Sequence, residues 1–170
     1  MADHSQSESA LVQFSERLTN SAAFGTLFRE GMDLVEETAA YLDGDGRAEA
    51  KALERAISLT YATESMRLTT RLMQLASWLL LHRAVKEGEM TLTQANREKT
   101  KVKLSAADPG PDDMITKLPQ QLQDLISRSM NLQSRVRRLD TSIHTPATER
   151  APIGNPLVPQ LNRLKAAFEQ

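Results

Sequence analysis

Three acidic residues are spaced like the ligands of a calcium-binding loop. Asp43, Asp45 and Glu54 occupy the first, third and twelfth positions of such a loop. Arg47 stands where a further carboxylate is required, and Ala48 stands where a glycine must make the turn. We therefore expect no calcium site in this stretch.

The other residues capable of chemistry are wrongly placed for catalysis. Glu36 and Glu37 are adjacent, so on a helix they point about 100° apart and cannot act together as acid and base. The histidines lie singly at His4, His82 and His144, and the chain has no cysteine, which excludes paired metal ligands and thiol nucleophiles. We expect no catalytic residue, no metal site and no cofactor, and therefore a protein that is not an enzyme.

The composition predicts an all-α protein. The 170 residues include only 4% aromatic side chains, seven methionines and many leucines and alanines, a mixture that favours helices over sheets. The N-terminus lacks the basic and apolar regions of a signal peptide, and no apolar run approaches the about 20 residues of a membrane span. We expect a cytoplasmic protein that does not insert into membranes.

Three helices must position any functional surface. The first runs from about residue 20 to 42, with Asn20 or Ser21 as its cap, and the glycines of the DGDG turn at 43–46 predict a left-handed helix end. The second continues from Arg47 to Gly88 without a breaking residue, which makes it the longest. The third begins at Pro119 and continues to about residue 142. The predicted fold is an antiparallel three-helix bundle with a long central helix.

The domain boundaries follow from these helices. Residues 1–19 form an N-terminal extension, residues 20–140 form the bundle, and residues 141–170 form a flexible linker and a tail peptide. The linker is rich in proline and small polar residues, which do not bury enough apolar surface to fold. Four apolar side chains of the tail are spaced for one helical face, so the tail is either a short docked helix or a peptide that folds into a partner's groove: Leu157, Leu161, Leu164 and Phe168.

Two of the helices carry clear apolar seams. The third helix repeats buried-type residues at alternating spacings of four and three, with one polar interruption at Ser129: Leu118, Leu122, Leu125, Leu132, Val136, Leu139 and Ile143. On a helical wheel the second helix has two seams and is therefore predicted to lie between two neighbours. The first seam is Tyr61, Leu68, Leu72, Leu75 and Leu79, and the second is Met66, Thr69, Met73, Ala76 and Leu80.

The remaining stripe of the second helix is the predicted interface. It begins at Glu64 and continues through Arg67, Arg71, Gln74, Trp78, Leu81 and Val85. Arginine and tryptophan are enriched at the energetic centres of protein interfaces. Two coverings stay open: residues 91–104 fold back onto the stripe, helped by a capping box at Thr91 and Gln94, or a second protein chain binds there as a dimer or as a different partner.

Charge is distributed unevenly along the chain. The first 50 residues carry 3 basic and 10 acidic side chains, whereas residues 117–170 carry 8 basic and 4 acidic ones. Such a distribution indicates an acidic helix packed against a more basic one, or a surface that attracts a charged partner. Arg135, Arg137 and Arg138 form a basic cluster, so a nucleic-acid-binding regulator is one alternative function. A purely structural dimer is another.

Three stretches of the sequence, in order, resemble the RcdA family, the regulators of CtrA degradation. They are FREGMDLVEETAAYLDGDGR at 28–47, YATESMRLTTRLMQLASWLL at 61–80 with RAVKEGEMT at 83–91, and LPQQLQDLISRSMNLQSRVRRLD at 118–140. The resemblance covers about residues 20–140. It assigns no individual binding residues.

The resemblance implies a non-enzymatic adaptor for regulated proteolysis. Such a protein is a homodimeric three-helix bundle that helps a ClpXP-type AAA+ protease degrade cell-cycle regulators of the CtrA type. Its implied partners are a CpdR-like response regulator, a PopA-like cyclic-di-GMP effector and the protein cargo, with recruitment to a cell pole and no nucleic acid. A tail needed for function is also implied.

Overall fold

The computed structural model describes residues 21–99 and 112–144, and within these ranges it contains helices and no strand. The elements are α1 (Ala22–Asp43), α2 (Asp45–Ala52), α3 (Arg55–Lys86), α4 (Leu92–Lys99), α5 (Asp112–Ile115) and α6 (Gln120–His144). Helices α1, α3 and α6 pack against one another around one apolar core. The all-α prediction is therefore confirmed, and α3 is the longest helix.

The directions of the three long helices follow from the residues that meet between them. Glu37 and Glu30 of α1 pair with Arg128 and Arg135 of α6, so α1 is antiparallel to α6. Phe28 of α1 lies against Arg83 of α3, and Tyr41, near the end of α1, lies against Tyr61, near the start of α3, so α1 is also antiparallel to α3. In contrast, Arg71 and Trp78 of α3 donate hydrogen bonds to Ser129 and Asp140 of α6, in the same order along both helices. The antiparallel arrangement thus holds for α1 against each neighbour, while α3 and α6 run parallel.

The predicted second helix is divided in two. Helix α2 ends at Ala52, and Leu53 adopts an extended conformation with φ −77° and ψ 147° before α3 begins. The same is true of Glu54, at φ −60° and ψ 149°. No proline or glycine marks this break, which is why the sequence predicted one continuous helix. Leu53 packs half-buried against the core, and this tertiary contact accompanies the turn.

The turn after α1 differs from its prediction. Ser21 caps α1 by accepting a hydrogen bond from the Phe24 amide, as expected. However, Gly44 has φ −108°, so the predicted left-handed helix end at the DGDG turn is wrong. Gly46 instead provides space: a Cβ there would lie 2.7 Å from the Tyr61 hydroxyl oxygen. Among the glycines of residues 21–99, the left-handed one is Gly88 at φ 74°, just after α3.

The seam of α6 forms the apolar wall that the sequence predicted. All members of the seam are buried except Leu139, which packs half-buried against them, and the buried set includes the single polar residue Ser129. Pro119 directly precedes the helix. The ion pairs Glu37–Arg128 and Glu30–Arg135, with N–O distances of 2.8 and 2.7 Å, also show that acidic α1 packs on basic α6.

Candidate protein-interaction surfaces

The side of α3 that faces α6 holds a buried guanidinium. Arg71 is only 1% exposed, and its Nη1 donates a hydrogen bond of 2.9 Å to Ser129 Oγ. Ser129 Oγ in turn donates to the Ile126 carbonyl oxygen. A buried charge is tolerated only when it is hydrogen-bonded, so the polar interruption in the α6 seam has a structural cause.

One carboxylate joins three helices further along the same side. Asp140 of α6 accepts a 2.8 Å hydrogen bond from Trp78 Nε1 of α3 and a 2.6 Å hydrogen bond from Lys99 Nζ of α4. Trp78 is 1% exposed, and its ring centre lies 4.1 Å from that of His82. Both the hydrogen bond of the indole N–H and the packing of the ring are therefore provided within one chain.

The stripe of α3 that was predicted as the interface therefore faces inward. Arg71 and Trp78 are buried, and Arg67, Gln74, Leu81 and Val85 are half-buried. Exposure of Arg71 and Trp78 was a wrong expectation, because their polar atoms have partners on α6 that lie 58 and 62 residues away in sequence. A role for these six residues in binding a partner stays a prediction.

The fold-back of the segment after α3 is confirmed for residues 91–99, and residues 100–104 lie outside the described residues. Helix α4 packs against α3 and begins with the predicted capping box. Thr91 N donates to Gln94 Oε1 at 2.9 Å, and Gln94 N donates to Thr91 Oγ1 at 3.2 Å. Its Leu92 packs half-buried on the core, and Ala95 is buried. Of the two coverings that the sequence left open, the chain itself supplies one.

The opposite side of α3 is open and apolar. Leu59, Met66, Met73 and Leu80 are 71%, 72%, 67% and 52% exposed, and we call them the outer stripe. The second seam was predicted to be buried, and this is wrong for Met66, Met73 and Leu80 as well as for the exposed Thr69; Ala76 is half-buried. The first seam, from Tyr61 to Leu79, is buried as predicted.

The outer stripe has the spacing of a helix-pairing seam. Its four members lie seven residues apart, and the small residues Ala62, Thr69 and Ala76 follow each of the first three at the third position. This is an a/d heptad pattern with large and small side chains in alternation. Between Arg55 and Arg83 the charged residues of α3 are Glu64, Arg67 and Arg71, of which Glu64 and Arg71 are buried. The sequence predicted most of this stripe as the second seam, and the error was the expectation that a helix of the same chain covers it.

A groove between α1 and α3 adjoins the outer stripe. It has a volume of about 300 Å³ and is lined mainly by apolar and small side chains: Val35, Thr38, Ala39, Leu42, Asp43, Thr69, Leu72, Met73 and Ala76. Outside the groove, α1 and α3 are also joined by a cation–π contact, in which the Arg83 guanidinium lies 4.9 Å from the centre of the Phe28 ring. Groove and stripe together form a continuous apolar surface around Met73.

The titratable groups of the described residues are arranged for structure. The Tyr41 hydroxyl donates a 2.7 Å hydrogen bond to Glu49 Oε2, and burial together with this bond raises the pKa of Tyr41 far above its usual value. The phenol therefore stays protonated even in alkaline solution in which a free tyrosine ionises.

No group of three or more His, Cys, Asp or Glu side chains suited to a metal ion occurs within residues 21–99 and 112–144. In the same ranges no helix is long and apolar enough to cross a bilayer.

The basic cluster of α6 is divided between different roles. Arg135 donates hydrogen bonds of 2.8 and 2.7 Å to both carboxylate oxygens of Glu30. Arg137 and Arg138 are exposed, and Arg138 Nε also donates to the Ser134 carbonyl oxygen. One of the three predicted phosphate-binding cations is thus already neutralised by an acidic residue of α1.

The predicted tail peptide lies outside the described residues, as does the N-terminal extension. This applies to Leu157, Leu161, Leu164 and Phe168. The described part of α6 continues to His144, close to the helix end predicted at about residue 142 and four residues beyond the predicted domain boundary at residue 140.

Comparison with known proteins shows the family to which the chain belongs. The chain is similar to RcdA from Caulobacter crescentus CB15, whose crystal structure superposes with a TM-score of 0.62 at 49% sequence identity, covering 75% of this chain and 96% of that one. No curated protein matches the chain. A family model described as protein of unknown function (DUF1465) matches residues 15–168. The chain therefore belongs to the DUF1465 family and is an RcdA-type protein.

Proposed function

We propose that this chain is a non-enzymatic adaptor that promotes regulated proteolysis of CtrA-type cell-cycle regulators by a ClpXP-type AAA+ protease. The observation that carries the proposal is the 49% identity to RcdA over 96% of the solved chain. The proposal is also supported by the kind of surface the bundle presents, an apolar stripe suited to protein contacts. Its partners are a CpdR-like response regulator, a PopA-like cyclic-di-GMP effector and the cargo protein.

The adaptor acts by holding its cargo near the protease. Two weak contacts on one scaffold raise the local concentration of the cargo, so neither contact needs high affinity alone. The tail peptide with Leu157, Leu161, Leu164 and Phe168 provides one contact, and the bundle provides another. The protein works in the cytoplasm, with recruitment to a cell pole.

A reconstituted degradation reaction tests this function. The reaction contains the purified ClpXP-type protease, a CtrA-type cargo, the CpdR-like and PopA-like partners, and ATP, with or without this chain. We expect the chain to accelerate loss of the cargo. Equal degradation rates with and without the chain would refute the adaptor function, and salt-sensitive binding to duplex DNA would favour the nucleic-acid alternative instead.

Truncation separates the tail from the bundle. Removal of residues 145–170 keeps α6 to its described end at His144. We expect this shortened chain to keep its helical circular dichroism and to lose the acceleration of cargo degradation. Full acceleration by the shortened chain would show that the tail is dispensable.

We further propose that the adaptor is a homodimer joined through the outer stripe. An antiparallel pairing of two α3 helices, with the two-fold axis between Thr69 and Thr70, brings Leu59 of one copy opposite Leu80 of the other. The same operation brings Met66 opposite Met73. The stripe is therefore complementary to itself, as a two-fold interface requires, and the small residues between its members allow a close approach of the helices.

The oligomeric state provides the first test of this pairing. Met73→Glu places a charge in the middle of the proposed seam, and we expect it to shift the mass measured by light scattering from dimer to monomer. Asn131→Glu on the exposed side of α6 is the matched control and should leave the mass unchanged. A wild-type monomer at micromolar concentration, or a dimeric Met73→Glu chain, would contradict the proposal.

A further inference from the structure

Helix α4 binds the rest of the bundle in the way that a helix of a partner protein would. Leu92, Ala95 and Lys99 are spaced at i, i+3 and i+7, so they lie on one face of the helix. Leu92 packs on the core, Ala95 is buried, and Lys99 pairs with Asp140. An amphipathic helix of a partner protein binds a groove in the same way, through a few anchor residues on one face.

The attachment of α4 is light compared with that of the long helices. Of its eight residues only Ala95 is buried. An isolated helix of this length is unstable in water, so α4 persists through its contacts with the bundle. Elements with few buried apolar contacts open at a lower free energy than the global unfolding of the domain. Helix α4 is therefore suited to open while the bundle stays folded.

The anchor that remains when α4 opens is a carboxylate. Asp140 is 17% exposed at its side chain when Lys99 is in place, and Trp78 holds one of its oxygens through a 2.8 Å bond. A partly buried carboxylate that loses a cation is costly unless another cation replaces it. Leu92 packs on the core and Ala95 is buried where α4 lies against α3. Opening of α4 therefore uncovers the apolar contacts of these two residues together with the Asp140 carboxylate.

We propose that this surface of α3 and α6 is a docking site for an amphipathic helix of a partner protein, which displaces α4. The partner helix carries an apolar residue, a small residue three positions later, and a lysine or arginine seven positions after the first. Its cation replaces Lys99 at Asp140. The tethered α4 competes with the partner at high effective concentration, and it thereby sets the threshold for binding. This proposal does not depend on the proteolytic function.

Hydrogen exchange of the full chain tests the opening of α4. We expect α4 amides to exchange through a local opening, faster than the amides in the middle of α3. Lys99→Met and Asp140→Asn should each accelerate α4 exchange by about ten-fold or more, as expected for the loss of a partly buried ion pair, and Lys86→Met, at an exposed lysine of α3, should not. Exchange of α4 at the rate of the α3 core would overturn the proposal.

A peptide with the sequence of residues 90–100 tests the docking site itself. The labelled peptide should bind the Lys99→Met chain at least about ten-fold more tightly than the wild type, because its tethered competitor is weakened. A second peptide with Lys99→Glu should not bind, and Asp140→Asn introduced into the Lys99→Met chain should abolish binding of the first. Equal binding of both peptides, or binding that is indifferent to Asp140, would overturn the proposal. Circular dichroism of each chain confirms that the bundle is folded.

Discussion

The two sides of α3 differ in what completes them. The inner side carries arginine, tryptophan and glutamate, and it is buried against other elements of the same chain, as Arg71–Ser129 and Trp78–Asp140 illustrate. The outer side carries leucine, methionine and small residues, and it is exposed. Arg71 and Trp78 are thus enclosed together with the leucines of the first seam, whereas the four apolar residues of the outer stripe stay exposed. We propose that another protein chain covers them. Residue type alone does not identify an interface, because one correctly placed polar partner makes an arginine or a tryptophan a core residue.

The inner side is most sharply tested at Trp78. Trp78→Ala leaves a large cavity and removes the donor to Asp140, so we expect the free energy of unfolding to fall by about 3–5 kcal/mol. Met73→Ala, on the outer side, should change it by less than about 0.5 kcal/mol in a dilute chain. Urea unfolding followed by circular dichroism measures both. Equal losses for the two variants would erase the distinction between the two sides.

The buried guanidinium sharpens the comparison with a smaller change. Ser129→Ala removes the hydroxyl that accepts from Arg71 Nη1, and we expect a loss of about 1–3 kcal/mol because a buried charge is left less well bonded. Ser127→Ala, at an exposed position of the same helix, is the control and should be nearly neutral. A neutral Ser129→Ala would mean that this bond does not hold the inner side closed.

Two glycines of α1 contrast close packing with open space. A Cβ at Gly31 would meet Leu79 Cδ1 at 2.5 Å, whereas a Cβ at Gly25 would meet nothing within 4 Å. We expect Gly25→Ala to stabilise the chain by about 0.5–1 kcal/mol through its helix propensity. Gly31→Ala should lose that gain to crowding and destabilise the chain instead. Thermal unfolding of the two variants decides, and a similar gain at both sites would contradict the close approach of α1 to α3.

The smallest effect is expected at the surface ion pair of Glu37 and Arg128. The hydrogen bond from Arg128 holds the pKa of Glu37 below its usual value of 4.5. The stabilisation is therefore present above that value and is lost as the pH falls through the lowered pKa of the folded chain. Both side chains are more than 40% exposed, at 42% and 43%, so we expect less than about 0.5 kcal/mol. In urea unfolding, the free energy of unfolding of Glu37→Gln should be lower than that of the wild type at pH 7 and equal to it at pH 2. A larger difference at pH 2 than at pH 7 would contradict this pH dependence.

The sequence predicted those features that depend on local pattern. The seam of α6, the cap at Ser21 and the capping box at Thr91 all follow from neighbouring residues, and each is confirmed. Which sector of α3 is covered depends instead on Ser129 and Asp140, which lie on another helix. A helical wheel gives the angles between residues and not the identity of the neighbour. The break at Leu53 was missed for a similar reason, because no local breaker marks it.

Disulfide cross-linking tests the central claim, that the outer side of α3 is where two copies meet. The chain has no cysteine, so Met66→Cys and Met73→Cys each introduce a single thiol. In an oxidised equimolar mixture of the two variants, distinguished by tags, we predict that the mixed 66–73 dimer dominates. Asn131→Cys should cross-link only at the background rate. Predominant 66–66 and 73–73 products would contradict the antiparallel register, and cross-linking no faster than that of Asn131→Cys would contradict the interface itself.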